Sequence, residues 1–131
     1  RLVRKLCAAR DKYFLTKSEI VALSKKADLE RVLKALVDEG VVPKGVDWDK
    51  VPLFKPKAST ECEDGYKGRI GIHEVLKMTP AIRSHVIVNS PAEKIEEQAR
   101  KEGMLTMLED GLFKAARGLT TVEEVFRVVS E

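Results

Sequence analysis

The chain has 131 residues, of which 44% are hydrophobic and 34% are charged, and its formal net charge is +3. This length allows one modest hydrophobic core, and it is too short for two independent domains. The sequence contains no apolar run that could span a bilayer, no signal peptide and too few cysteines for a secreted disulfide framework. We therefore expect a soluble protein in a reducing compartment, the cytoplasm.

Positive charge is concentrated in the first part of the chain. Residues 1–57 contain 14 Lys or Arg against 8 Asp or Glu, whereas residues 58–131 contain 10 against 13. We expect no direct nucleic-acid partner, because no basic run is interleaved with aromatic residues. A basic, winged-helix-like nucleic-acid-binding domain stays open as an interpretation that rests on the charge of residues 1–57 alone.

The chain begins with a segment of ambiguous pattern and a helical insert. Residues 1–7 alternate apolar and basic side chains imperfectly, which fits either a strand or a helix. Residues 16–57 are expected to form a helical insert. Its first helix starts with the capping-box pattern of Thr16 and Glu19, and its second helix starts at Asp28. Three leucines should give the insert an apolar core of its own: Leu29, Leu33 and Leu36.

Gly40 stands where the second helix should end in a left-handed conformation. The prolines and glycines that follow it indicate an irregular connection up to residue 57. At most, residues 51–55 form a short edge strand, because proline has no N–H to donate within a sheet.

Residues 65–76 combine a glycine-rich turn with an apolar strand over residues 69–76. Two of the three glycines in this segment should require positive φ. The segment lacks the Lys-Ser/Thr ending of a phosphate-binding loop and leads into a strand, so we expect a tight turn. Arg69 and Glu74 could pair with each other's neighbours or face an adjacent subunit. The residues expected to form this structural turn and strand motif are Gly65, Tyr66, Gly68, Arg69, Gly71 and Glu74.

Residues 79–131 predict four short helices that must pack on one another, because helices of this length are marginal alone. The first starts at Thr79, before a proline, and the second has a capping-box pattern at Ser90. The third starts at residues 106–109 and the last at residues 120–123. Their buried faces should contain Leu105, Leu108, Leu112, Phe113, Val122, Val125 and Phe126.

Three segments, residues 1–7, 65–76 and 110–114, together resemble the C-terminal part of the hexameric ATPases of type II secretion and type IV pilus assembly. The resemblance runs from residue 1 to residue 129, apart from the divergent insert. It implies that residues 1–7 form a strand that pairs antiparallel with residues 69–76. The expected fold class is therefore α+β, mostly helical, with a small antiparallel sheet, a helical insert and a C-terminal bundle of short helices.

The resemblance also divides the chain in two and places its beginning inside a larger protein. Residues 1–78 would end the ATPase core and carry the insert, and residues 79–131 would form a C-terminal helical subdomain. The family's Walker motifs and arginine fingers lie upstream of residue 1, so ATP and Mg²⁺ belong to the parent protein and no cofactor is expected in this part.

In this family two Cys-x-x-Cys pairs flank an insert and hold a structural zinc ion. Cys7 and Cys62 match one cysteine of each pair, whereas Arg10 and Ser59 stand where the other two ligands would be. Two thiolates do not close a tetrahedral site, so zinc is not expected. Ligation by a substitute residue stays open: Asp11, Glu61 or His73. If Cys7 and Cys62 keep the two ligand positions, their Cα atoms should lie within about 7 Å, close enough for a disulfide.

No catalytic constellation surrounds either histidine, so the expected role is mechanical. The resemblance implies a non-catalytic part of a homohexameric motor, which packs subunits and transmits force. Its partners would be its own upstream ATPase domain, the neighbouring subunits and the inner-membrane platform protein, with the protein cytoplasmic and peripheral to that membrane. The cysteine segment favours an assembly or secretion motor over a retraction motor. The alternative is a free-standing helical adaptor that binds a partner helix.

Overall fold

The computed structural model describes residues 1–130 and shows an α+β fold. Six α-helices and four short strands occur along this part of the chain. The strands are β1 (Leu2–Leu6), β2 (Arg10–Tyr13), β3 (Leu53–Pro56) and β4 (Tyr66–Gly71). The helices are α1 (Lys17–Ser24), α2 (Leu29–Asp38), α3 (Pro80–Ile87), α4 (Ala92–Lys101), α5 (Met107–Ala116) and α6 (Val122–Val129), with one 3-10 turn at Trp48–Lys50.

Strands β1 and β4 form the predicted antiparallel pair, with Val3 opposite Ile70. The predicted range of the second strand is wrong, because β4 starts at residue 66 and ends at Gly71. Residues 73–76 leave the sheet and turn toward α5. The His73 N–H donates to Asp110 at 2.8 Å, and the Glu74 carboxylate accepts from the Met107 N–H at 3.1 Å, so contacts with α5 replace further strand pairing.

A second antiparallel pair, β2 with β3, was predicted only in part. The edge strand expected near residues 51–55 exists as β3, but its partner β2 was not predicted. β2 has no apolar alternation, and cations stacked on aromatic rings of the opposite strand stabilise the pair instead. The Arg10 guanidinium lies 4.3 Å from the Phe54 ring centroid, and the Lys55 ammonium lies 4.9 Å from that of Tyr13.

The insert helices begin where their capping residues predict. Thr16 and Glu19 form a complete capping box, and the Asp28 side chain accepts from the Arg31 N–H. Gly40 has the expected positive φ of 71°. The insert does not have an apolar core of its own, which corrects the prediction. Its buried residues form one cluster with Leu112, Ala115 and Ala116 of α5, and Leu33 is only half-buried while Val32 is fully enclosed.

The four C-terminal helices all form, but the second one lacks its predicted cap. Helix α4 starts after Pro91 with no side-chain cap, because the Ser90 hydroxyl bonds to His85 Nδ1 at 3.1 Å. Of the seven residues predicted to be buried, Leu112 and Val125 are enclosed and the other five are half-buried. Helix α6 packs on β1 and α5 through Val125 and Val128, which leaves Phe126 at its edge.

No helix within residues 1–130 is both long enough and apolar enough to cross a membrane. Helix α5 contacts α2, α6 and β3, and α6 contacts β1, so these two helices pack on both the insert and the first sheet, while α3 packs mainly on α4. The division into residues 1–78 and 79–131 stays a prediction.

Candidate functional site

Several of the residues selected from the sequence lie where β1, the base of the insert, the start of β4 and α6 meet, a region we call the junction; they are Cys7, Arg10, Ser59, Cys62, Gly65 and Tyr66. Cys7 and Cys62 form a disulfide with their Cα atoms 6.6 Å apart, which confirms the expected proximity. Cys62 is buried and Cys7 is half-buried. The base of the insert is therefore closed by a covalent bond between its two ends.

Arg10 and Ser59 have structural roles instead of ligand roles. The Arg10 guanidinium donates to the Gly118 carbonyl, between α5 and α6. Ser59 closes a turn with Cys62: its Oγ accepts from the Cys62 N–H at 3.1 Å, and its own N–H donates to the Cys62 carbonyl at 2.9 Å. Arg10 thus connects β2 to the segment between α5 and α6, whereas Ser59 stabilises a local turn.

These residues do not fit a closed tetrahedral zinc site, which needs four thiolate or imidazole ligands. The two cysteines are bonded to each other, and within residues 1–130 no group of three or more His, Cys, Asp or Glu side chains is placed to hold a metal ion. The substitute ligands considered from the sequence, Asp11, Glu61 and His73, therefore do not assemble around the cysteines. The expected absence of zinc from the protein in solution stays a prediction.

Gly65 and Gly68 both have the predicted positive φ, but only Gly65 lies in the turn before β4, whereas Gly68 lies inside β4 near the register shift between Arg4 and Leu6. Gly65 has φ of 85°, and a Cβ there would lie 2.7 Å from the Pro56 Cβ, so no other residue fits without a shift. Its carbonyl accepts from the Cys7 N–H at 3.0 Å. Gly68 has φ of 78° and faces open space. The segment is a tight turn before a strand, as expected.

A buried carboxylate, Glu124 on α6, is the strongest electrostatic feature of the junction. Its side chain is 1% exposed. It accepts hydrogen bonds from the Arg4 backbone N–H at 3.1 Å, from the Arg4 guanidinium at 2.9 Å and from the Arg127 guanidinium at 2.6 Å. Burial alone raises the pKa of Glu124, but the bonds from Arg127 and Arg4 outweigh it and lower the pKa to about 2.

Tyr66 and Thr121 extend this network across the sheet. The Tyr66 hydroxyl and Thr121 Oγ1 lie 2.9 Å apart, and the Arg4 guanidinium stacks 4.2 Å from the Tyr66 ring centroid. Thr120 Oγ1 donates to the Arg4 carbonyl at 2.8 Å. Strands β1 and β4 and helix α6 are therefore joined by one connected set of polar contacts.

The remaining selected residues lie on the α5 side of β4 or on its exposed face. The Gly71 carbonyl accepts from Lys114 Nζ at 2.7 Å, and Glu74 binds the N-terminal turn of α5 rather than a neighbour of Arg69. Arg69 is exposed and lines a cleft of about 430 Å³ together with Arg1, Arg4 and Arg127.

Sequence reasoning missed two buried glutamates, Glu109 and Glu124. Glu109 is 1% exposed and completes the capping box of Thr106. Its second oxygen accepts from the Asp28 N–H at 2.8 Å, which connects α5 to the start of α2. Residues 106–109 predict the start of α5 and include Glu109, whereas the start predicted for α6, residues 120–123, leaves out Glu124; the available signal for each glutamate is its position three residues after the threonine that caps the helix. It contains no information on burial.

Two stretches that lie close in sequence expose aliphatic side chains to an unusual extent. Exposed aliphatic side chains cluster in sequence on α3 and on the segment that precedes it, and Ile87 is 75% exposed. They are Val75, Leu76, Met78, Val86, Ile87 and Val88. We call this set the α3 surface. Exposed aliphatic side chains mark a protein contact site where they form one contiguous patch.

Comparison with known proteins identifies the family. A family profile described as "Type II/IV secretion system protein" matches residues 1–127. The chain is 39% identical over 132 residues to a type II secretion system protein E of Xanthomonas campestris, an alignment that covers 100% of this chain and 20% of that protein. It is 42% identical over 96 residues to the type IV pilus assembly ATPase PilB of Pseudomonas aeruginosa, covering 71% of this chain and 17% of that protein.

A third relative is the type IV pilus assembly ATPase PilB of Thermus thermophilus, which is 46% identical over 74 residues, 56% of this chain and 8% of that protein. The chain therefore spans a fifth or less of the length of these relatives. The profile match extends over the first strand, the junction and most of α6. By this evidence, and as its resemblance predicted, the chain belongs to the type II/IV secretion system protein family.

Proposed function

We propose that this chain is the C-terminal, non-catalytic portion of a hexameric ATPase motor for type II protein secretion or type IV pilus assembly. Its role there is to pack subunits together and to transmit force. The observation that carries the proposal is the junction: polar contacts of Arg4, Tyr66 and Glu124 join the first strand of the chain to its last helix. A part that passes movement from one end to the other needs such a continuous connection.

Nucleotide chemistry belongs, on this proposal, to the parent protein. Two of the relatives are named as ATPases, and this chain matches less than a fifth of each. The sequence contains no Gly-x-x-x-x-Gly-Lys-Ser/Thr loop, which a P-loop enzyme needs to hold phosphates and Mg²⁺. We expect the isolated chain to show no ATP binding by calorimetry at millimolar nucleotide. Saturable micromolar binding would count against a purely mechanical role.

The proposed partners are the upstream ATPase domain, neighbouring subunits and the inner-membrane platform protein, with the motor on the cytoplasmic side of that membrane. The α3 surface supports the proposal of protein partners, because its aliphatic side chains are exposed in the isolated chain. A buried position for this surface in the assembled motor would remove the cost of that exposure.

The test compares two substitutions in the full-length parent protein. Ile87→Asp places a charge on the α3 surface, and Lys44→Asp introduces an aspartate at an exposed position of the insert, where a charge is already present. We expect Ile87→Asp to abolish secretion or pilus extension while the isolated chain still folds, and Lys44→Asp to preserve both. Normal output from the Ile87→Asp motor would contradict the proposed role of this surface.

The coding sequence upstream of residue 1 distinguishes the motor from the alternative, a free-standing helical adaptor. A Gly-x-x-x-x-Gly-Lys-Ser/Thr motif in that sequence supports the motor. An initiating methionine directly before Arg1 supports the adaptor.

A further inference from the structure

The Cys7–Cys62 disulfide encloses the whole insert. The two cysteines are 55 residues apart in sequence, and β2, α1, α2 and β3 all lie between them. Cys7 directly follows β1, and Cys62 lies a few residues before β4. The bond therefore fixes the insert to the sheet that contacts α6.

We propose that Cys7 and Cys62 form a reversible thiol–disulfide site, which exchanges with a low-molecular-weight thiol and its disulfide and so controls how firmly the base of the insert is held. The inference rests on the proposed function only for the compartment, since a cytoplasmic motor works among reducing thiols. The chemistry itself rests on the placement of the two sulfurs.

The two sulfurs differ in access, which sets the direction of exchange. Cys7 is half-buried, whereas Cys62 is 3% exposed. An incoming thiolate therefore attacks the Cys7 sulfur and Cys62 leaves as a thiolate, which gives a mixed disulfide at Cys7. A second small thiol then attacks the small-molecule sulfur of that mixed disulfide and releases the small disulfide. Two electrons pass from two small thiols to the protein, and the small disulfide is the oxidant of the reverse reaction.

A metal ion does not replace this bond when it opens. The reduced pair offers two thiolates, and within the described residues no third His, Cys, Asp or Glu is placed to join them. Two thiolates leave a tetrahedral structural site half complete. The resemblance assigns a redox-inert zinc ion to this position, whereas the bond found here responds to thiols.

Non-covalent contacts remain at the base of the insert after reduction, so the expected change is local. The Cys7 N–H still reaches the Gly65 carbonyl, the Ser59 turn is independent of the sulfur bond, and Arg10 still reaches α5 and α6. Reduction should therefore loosen residues 57–64 without unfolding the C-terminal helices.

The test equilibrates the 131-residue chain anaerobically in mixtures of reduced and oxidised glutathione. Free thiols are then blocked and counted by mass spectrometry, and hydrogen exchange is measured on the two end states. We expect the count to change between zero and two within the range of the glutathione mixtures. We also expect protection at residues 57–64 to be lost on reduction, while residues 107–129 stay folded and protected, to a degree lowered only by the smaller free energy of global unfolding.

Variants that cannot form the disulfide distinguish the effect of losing the bond from side effects of the reagents. Cys7→Ser and Cys62→Ser should each show the exchange pattern of the reduced chain in every mixture. A pair that stays oxidised in excess reduced glutathione, or stays reduced in excess oxidised glutathione, would overturn the proposal. So would identical hydrogen exchange in the two states. None of these readouts uses ATP hydrolysis or secretion, so failure of the motor hypothesis would leave the result interpretable.

Discussion

Replacement of Glu124 by glutamine is the sharpest test of the junction. The substitution keeps the size of the side chain and removes the charge that Arg4 and Arg127 surround. The cap of α6 is unaffected, because Thr121 Oγ1 accepts from the backbone N–H of residue 124 and not from its side chain. Any loss of stability therefore reports on the carboxylate.

The expected magnitude follows from the pKa of Glu124, which is lowered from 4.5 to about 2. Each pKa unit corresponds to about 1.4 kcal/mol, so the ionised carboxylate stabilises the fold by about 3 kcal/mol at neutral pH. The Arg4 and Arg127 side chains are 42% and 51% exposed, so water can solvate them once the carboxylate is gone. We therefore expect Glu124→Gln to cost about 2 to 3 kcal/mol, below the 3–5 kcal/mol of a fully buried pair.

The pH dependence has a definite sign. The pKa of Glu124 is lower in the folded chain than in the unfolded chain, so the unfolded state binds the proton first as the pH falls. The contribution is complete above pH 4.5 and is lost progressively as the pH falls toward about 2. Glu124→Gln should be insensitive to pH in this window, apart from the effects of other carboxylates.

Urea denaturation followed by circular dichroism, at pH 7 and at steps down to pH 3, measures both quantities if unfolding is two-state. Glu123→Gln is the matched control, because residue 123 is exposed on the same turn of α6. Equal stabilities for the two variants at pH 7, within about 0.5 kcal/mol, would refute the reasoning. An unchanged acid dependence in Glu124→Gln would refute it as well.

Three further predictions concern packing and covalent closure. Cys7→Ser should lower the free energy of unfolding by up to about 4 kcal/mol, from the loop entropy of a 55-residue separation, and thiol reduction of the wild type should give the same loss in urea denaturation. Gly111→Ala should lower the free energy of unfolding by about 1 to 2 kcal/mol, because the overlap of the added Cβ with the methyl groups of Val125 outweighs the gain in helix propensity. Adding Val125→Ala to the same chain should recover part of the loss in melting temperature. Trp48→Phe should cost about 1 to 2 kcal/mol by chemical denaturation, because it leaves the buried Leu29 carbonyl without the indole donor 2.8 Å away, and an unchanged midpoint would exclude a role for that bond.

Local signals in the sequence predicted where helices begin. Thr16, Asp28, Thr79 and Thr106 all cap helices as expected, because a side chain that accepts from a backbone N–H acts within four residues of itself. Ser90 is the exception. Its hydroxyl bonds to His85 on the preceding helix, and such a contact depends on how two helices are arranged in space.

Signals that depend on distant residues were missed or misplaced. Strand β2 has no apolar alternation, and its pairing relies on cation–aromatic contacts with β3, which lies some forty residues away in sequence. The end of β4 was misplaced because contacts with α5 remove residues 73–76 from the sheet. The α+β class itself was predictable, since the family resemblance supplied the partner of β1.

The two buried glutamates show where local reasoning stops. Thr106 with Glu109, and Thr121 with Glu124, have the same spacing at the starts of α5 and α6, and both threonines cap. Glu109 returns to the cap and also reaches the start of α2, whereas Glu124 turns away to Arg4 on β1. One spacing thus serves two different long-range connections. Helix α5 contacts the insert, α6 contacts the sheet, and the two helices pack on each other, so the two buried glutamates connect one helix pair to both the insert and the sheet.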